Sequence, residues 1–265
     1  IINNKPYLIY HLQGNLQNLN IVNCQINAGN STALIGYCDG VVNNCNIKKI
    51  ILNSKNVSGE SRQGAFAGSL RGRIENCTVT DVEIISNNIF RVLAGGIAGY
   101  MSNGKIYNCY VQNLMMNTTE CSTYKGIGGI IGCMEAKAEV INCYAVGDID
   151  TDGINIGGIV GRTTDSSLIK NSISKVNITG SPDIFAGIAG TIEDTNTYVE
   201  NSLSLGDLYT SRNNVEGKSI AYSTKGVLEN NYYYEEQKIN GIKKGKVEEK
   251  SLSFNAVSYT HLRAH

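Results

Sequence analysis

Tryptophan is absent from the 265 residues, proline occurs twice and histidine three times. No run approaches the roughly 18 apolar residues that a membrane helix requires. There is no charge excess either: 23 basic residues balance 23 acidic ones, without a long run of either sign. That removes the electrostatic footprint of a nucleic-acid binder. Apolar spacing at i, i+3, i+4, i+7 is nowhere sustained, so α-helix should be minor. No His-Glu-x-x-His, Cys-x-x-Cys or Cys/His pattern occurs, which leaves no zinc site and no metallopeptidase centre in the sequence.

What is abundant is glycine, 29 residues, together with Asn, Ile, Val, Thr and Tyr. This mixture suits short strands joined by corners at which Asn and Gly accept left-handed dihedrals. The residues recur in order. Gly96-Ile97-Ala98-Gly99 is followed by Asn108-Cys109, and the same pairing appears at Ala33 to Gly36 with Asn44-Cys45 and at Ala65 to Gly68 with Asn76-Cys77. It continues at Gly129 to Gly132 with Asn142-Cys143, Gly158 to Gly161 with Asn171-Ser172, and Gly187 to Gly190 with Asn201-Ser202. A decayed copy, Ser219 to Tyr222 with Asn230-Asn231, closes the series. The closing positions Gly36, Gly68, Gly99, Gly132, Gly161, Gly190 and Tyr222 are separated by 32, 31, 33, 29, 29 and 32 residues. A unit this short cannot bury its own apolar face and must lean on its neighbours.

The spacing therefore predicts an all-β, right-handed parallel β-helix, a solenoid of about seven coils of ~31 residues. Residues 1–30 form a partial N-terminal repeat, with Asn23-Cys24 as its Asn-Cys half. Residues 31–232 form the repeat body, and residues 233–256 a terminal coil and tail. Residues 257–265, Val257 to His265, look like the in-frame translation of a sequencing-library adapter and are set aside, which leaves His11 as the one native histidine. The chain opens at Ile1 without a signal segment and reads as part of a longer chain at both ends.

The residue two before each column Asn is apolar, as in Val42, Ile74, Ile106, Val140, Ile169, Val199 and Leu228, with Ile21 filling that place before Asn23. Early repeats then place apolar residues three and six after the Asn, which breaks strict alternation and makes the Asn a bend. After Asn142 they fall at plus four and plus seven, Val146 and Ile149, then Leu205 and Leu208, so the later coils should turn differently. Polar stretches of variable length, such as 117–124 and 210–214, read as protruding loops.

Stacked one coil per repeat, Cys24, Cys45, Cys77, Cys109 and Cys143 would pack as an inward ladder of free thiols about 4.8 Å apart, continued by Ser172 and Ser202. A disulfide between neighbours is the alternative. Asn23, Asn44, Asn76, Asn108, Asn142, Asn171, Asn201 and Asn230 would form an amide ladder that satisfies otherwise buried groups. Glu75, Glu200 and Glu229 share a column but do not form a catalytic pair of the glycosidase kind. No catalytic residue, metal or cofactor is expected. The sequons at Asn30, Asn56, Asn117 and Asn177 matter only in a eukaryotic secretory setting. Tyr107, Tyr110, Tyr144 and Tyr232 to Tyr234 could present a ligand surface, or simply pack on a strand face.

Gly95-Gly96-Ile97-Ala98-Gly99, Gly128-Gly129-Ile130-Ile131-Gly132 and Gly157-Gly158-Ile159-Val160-Gly161, each followed by its Asn-Cys or Asn-Ser strand, resemble the GLUG motif. Asn142 to Ile149 is the best single match, and the resemblance runs from Ser31 to Phe254, with Ala33, Ala65 and Ser219 departing from the usual glycine. It implies a non-enzymatic stalk or adhesion segment of a secreted or cell-surface bacterial protein, with a host glycan or protein as partner. Two other readings remain open: the non-catalytic arm of a larger immunoglobulin-A-type zinc metallopeptidase, and a carbohydrate-active β-helix.

Overall fold

In the computed structural model the described residues are 2–3, 5–28, 31–121, 125–222, 225–234 and 236–243. They hold strands, turns and bends, with no helix among them. The strands stack in parallel as a β-solenoid. Its regularity is plainest in an eight-stranded corner sheet built from Asn15–Gln17, Val41–Asn43, Arg73–Glu75, Lys105–Tyr107, Glu139–Ile141, Leu168–Lys170, Tyr198–Glu200 and Val227–Glu229. Each strand pairs in register with the equivalent strand of the next repeat, as in Ile74↔Ile106↔Val140↔Ile169. The longer strands, such as Asn46–Leu70 and Thr78–Gly95, pair in the same way and form the other walls.

The corner after each of these eight strands is a left-handed residue, and in every case it is asparagine: Asn18, Asn44, Asn76, Asn108, Asn142, Asn171, Asn201 and Asn230, with φ between 49° and 57°. Asparagine tolerates this region better than other residues with a Cβ. The register corrects the first coil. Leu16 pairs with Val42 and Gln17 with Asn43, so Asn18 and Leu19 occupy the places assigned above to Asn23 and Cys24. Asn23 lies instead in a second left-handed column with Lys49, Asp81 and Asn113, and Cys24 pairs with Ile50. At both corners of the early coils the left-handed residue is followed by an apolar one, so the local signature alone does not tell one from the other.

The second column ends where one residue is lost. Val111 pairs with Ala145 but Leu114 with Gly147, so three steps in one coil face two in the next. The loss falls beyond the inward residue three after the Asn, which stays inside as Ala145, Ser174 and Ser204, all three buried. Val146 and Leu205, expected inside, are half-buried on the outer face.

The interior is built from columns of like side chains. Leu34, Phe66, Ile97, Ile130, Ile159 and Ile188 fill the glycine bends, and each is no more than 1% exposed. The bends need glycine for close approach. At Gly99 an added Cβ would stand 2.5 Å from the Gln63 amide nitrogen, and at Gly161 it would stand 2.2 Å from that of Ile127. Two walls of the coil meet here backbone to backbone, with no side chain between them. The preceding glycine column adjusts to the coil it faces: Gly96 abuts Val111, Gly129 abuts Ala145, and Gly158 and Gly187 abut Ser174 and Ser204.

At the C-terminal end the parallel order stops. Lys238–Ile239 and Ile242–Lys243 form an antiparallel hairpin around Asn240 (φ 51°) and Gly241 (φ 76°), the dihedrals of a type I′ turn. Ile239 is buried against the stack, bridging Leu208. An Asn-Gly turn within a stretch expected to be terminal coil and tail was a readable signal. The remaining tail, 244–256, the adapter-like segment 257–265 and the Asn30 sequon lie outside the described residues.

The glycine contacts yield a paired expectation. Gly161→Ala should destabilise by roughly 1–3 kcal/mol, whereas Gly59→Ala, exposed with nothing within 4 Å of the added methyl, should leave the melting temperature unchanged or raised. Equal melting temperatures for both variants would contradict the close wall contact.

Candidate functional site

The side-chain ladders are real hydrogen-bonded structures. Nδ2 of Asn108 donates to Oδ1 of Asn76, Asn142 to Asn108 and Asn171 to Asn142, each at 3.1 Å. Asn44 donates to Asn18 at 2.7 Å, and Asn76 donates to Asn43 instead of Asn44. All eight column asparagines are exposed. Their task is therefore to hold a left-handed corner at the surface and not, as expected, to satisfy buried groups.

The thiol ladder lies on the inner side of the same corner. Cys45, Cys77, Cys109 and Cys143 are buried, and Ser172, Ser202 and Asn231 continue the column. The Cys143 amide donates to Ser172 Oγ at 3.3 Å, the Ser172 amide to Ser202 Oγ at 3.2 Å, and the Ser202 amide to Asn231 Oδ1 at 3.0 Å. Each thiol or hydroxyl in turn donates to the carbonyl two residues before it, at 3.1 Å for Cys109 and 2.9 Å for Ser172. These side chains cap backbone groups that the corner pulls out of the sheet. The eight cysteines are all free thiols. Burial pushes the Cys143 thiol up to about 12 and Cys109 well above its ordinary value. They are poor nucleophiles, since the thiolate is the reactive form.

Glu75, Glu200 and Glu229 do share one outward column, with Glu200 directly paired to Glu229. Glu200 is held in an ion pair with Lys170 at 2.8 Å and Glu75 with Arg73 at 2.9 Å. In the same sheet Lys105 pairs with Glu139 at 3.0 Å. Burial works against the Glu139 carboxylate, but hydrogen bonds from Tyr107 and Lys105 hold it below the usual range. Among the described residues no group of three or more His, Cys, Asp or Glu is placed to hold a metal ion.

A second outer feature escaped the sequence reading. On the wall after the glycine bends, Tyr37, Ser69, Tyr100, Cys133, Arg162 and Thr191 stand in one register column. Around it runs a polar seam. The Arg62 guanidinium stacks 4.1 Å over the Tyr100 ring and donates to Glu60 at 2.6 Å and Ser69 at 2.8 Å. Tyr100 donates to Glu135 at 2.8 Å, and Arg162 grips Glu193 with two bonds of 2.6 and 2.7 Å. Arg162 holds the Glu193 carboxyl below its usual range, while burial, with Glu135 beside it, raises Tyr100. The seam borders an open hollow of about 350 Å³ lined by Glu135, Arg162, Thr164, Asp165, Glu193 and Asp194. Arg162 and Glu193 lie 31 residues apart and Tyr100 and Glu135 lie 35 apart, so only the coil register joins these pairs. The one signal available was their common offset from the closing glycines. Chemically the seam is an ion-paired surface, its arginines already engaged by carboxylates.

The buried thiols set a pH dependence. With the folded pKa of Cys143 near 12 and the free value at 9.0, the unfolded chain loses its proton first as pH rises. The folded state then binds more protons, so the contribution of this thiol to stability is constant below about pH 9 and falls between pH 9 and 12. Cys143→Ser, which copies Ser172, should flatten part of that fall in thermal melts. An alkaline profile unchanged by the substitution would contradict the burial of this thiol.

No family model matches the sequence, and no curated protein matches it. Among solved structures the chain is similar to a candidate immunoglobulin A1 protease from Bacteroides ovatus, with a TM-score of 0.55 and 24% sequence identity. The match covers 88% of this chain and 63% of that one, so this chain spans less than two thirds of its neighbour's length. The likeness is one of fold: a parallel β-solenoid.

Proposed function

We propose that the chain is a GLUG-type repeat segment serving as a non-enzymatic stalk or adhesion element of a secreted or surface-attached bacterial protein, with residues 31–232 as its repeat body. The observation that carries this reading is the unbroken register of the corner sheet, in which equivalent residues follow one another from Asn15 to Glu229 along one axis. Eight strands at one strand spacing make a rod about 35 Å long. Every step of it is tied by main-chain hydrogen bonds and, through much of its length, by side-chain ladders. Such a rod can hold surface features at a fixed distance. The pairing of outer acids with Arg or Lys, as in Arg162–Glu193 and Lys170–Glu200, supports a structural use of these carboxylates.

A second reading, the non-catalytic arm of a larger immunoglobulin-A-type metallopeptidase, is favoured by the description of the Bacteroides ovatus neighbour. Both readings make this segment a scaffold. Incubated with immunoglobulin A and with a polysaccharide panel, the purified chain should release no peptide fragments and no new reducing ends. Release of either would overturn the scaffold role.

A further inference from the structure

One outer column is aromatic and aliphatic where the surface around it is polar. Two residues after the corner asparagine, the chain has passed Cys109 pointing inward and turns Tyr110 outward before Val111 points in again. The register carries this position along the axis as Tyr110↔Tyr144↔Ile173↔Leu203↔Tyr232. Tyr110 is 38% exposed and the other four are half-buried. Val146 and Leu205, at the outward position four after the corner asparagine that Gln112 holds in the preceding coil, widen the stripe on one side. Lys175 is the cation on that flank.

On the other side runs the exposed ladder Asn108, Asn142 and Asn171. Asn108 and Asn142 each use one N–H and one oxygen lone pair within the ladder. An amide has a second N–H and a second lone pair, and these asparagines are exposed.

The size and charge of the stripe choose its occupant. Five layers span about 20 Å, and one or two side chains of width give roughly 200 Å². A stable protein partner or a second copy needs about 800 Å² per side. The five stripe residues and the asparagine ladder carry no ionised side chain, and Lys175 beside Val146 would give a polyanion laid along the axis a single counter-charge over five layers. We propose that the stripe binds a single strand of uncharged polysaccharide laid along the solenoid axis. A pyranose offers a C–H face to a tyrosine ring and hydroxyls that both donate to and accept from amides. One coil spacing, about 4.8 Å, is comparable to the length of one sugar unit in an extended chain, so successive sugars meet equivalent groups.

This inference deepens the adhesion side of the proposed function and rests on it. The test is native electrophoresis of the full chain through gels containing β-glucan, xylan or mannan, with hyaluronan and polygalacturonate as charged counterparts, and titration with the matching hexasaccharide and disaccharide. Retention by at least one neutral polymer is expected, with the hexasaccharide bound roughly tenfold or more tighter than the disaccharide. The double variant Tyr110→Ala/Tyr144→Ala should weaken binding by a similar factor. Tyr198→Ala, an exposed tyrosine on the corner sheet, should not. Circular dichroism checks folding, and should the double variant unfold, Tyr110→Lys alone decides. Retention by none of the neutral polymers, preference for the polyanions, or binding indifferent to Tyr110 and Tyr144 would overturn the proposal. So would a concentration-dependent dimer that the tyrosine variants abolish. Failure here without any cleavage activity leaves the scaffold reading standing.

Discussion

Main-chain hydrogen bonding between coils is the constraint on which the rest of this structure depends. Each wall donates to and accepts from the same wall one repeat further on, as in Ile97 N to Ile130 O and Ile130 N to Ile159 O, both at 3.0 Å. Once that register is fixed, each side chain has its counterpart directly above and below. Columns of isoleucine, of thiols and of amides are then consequences of a single rule. The rule also explains the corners. A chain that must turn without leaving its layer needs a residue with positive φ, and asparagine supplies it together with an amide that bonds along the stack. The price is paid in backbone groups turned out of the sheet, which the Cys, Ser and Asn231 side chains on the inner side take up.

The glycine bends answer a different demand. Where two walls meet backbone to backbone there is no space for a Cβ, and the contacts at Gly99, Gly132 and Gly161 are to main-chain atoms that cannot rotate away. Small changes propagate from there across the coil. As the residue facing the preceding glycine column shrinks from Val111 through Ala145 to Ser174 and Ser204, the repeat also loses one residue at its second corner. Backbone pairing of the later coils continues through Ile173 and Leu203. Across the same step the outward position four after the asparagine changes from Gln112 to Val146, which broadens the apolar stripe on the surface.

Much of this was legible from residue order. The period, the parallel solenoid, the bend at each asparagine and the glycine cores follow from local rules repeated often enough to stand out. The errors arose where two sites obey the same local rule. Asn18 and Asn23 both sit in left-handed corners, and only the pairing of Leu16 with Val42 tells which one belongs to the long ladder. Val146 and Ala145 are both apolar, and the register placed the smaller one inside. The hairpin at Asn240-Gly241 had its turn residues in plain view, within a segment whose repeat pattern had faded.

The sequence by itself determined the repeating unit, because φ preference, glycine's missing side chain and apolar alternation act within a few residues. Tertiary structure alone decided which side chains meet across coils. The Arg162–Glu193 grip, the Tyr100–Glu135 bond and the aligned outer tyrosines join residues about one repeat apart. Such neighbours exist only after strand register is chosen, and a shift of one residue in a period-two strand would send every one of them to the opposite face.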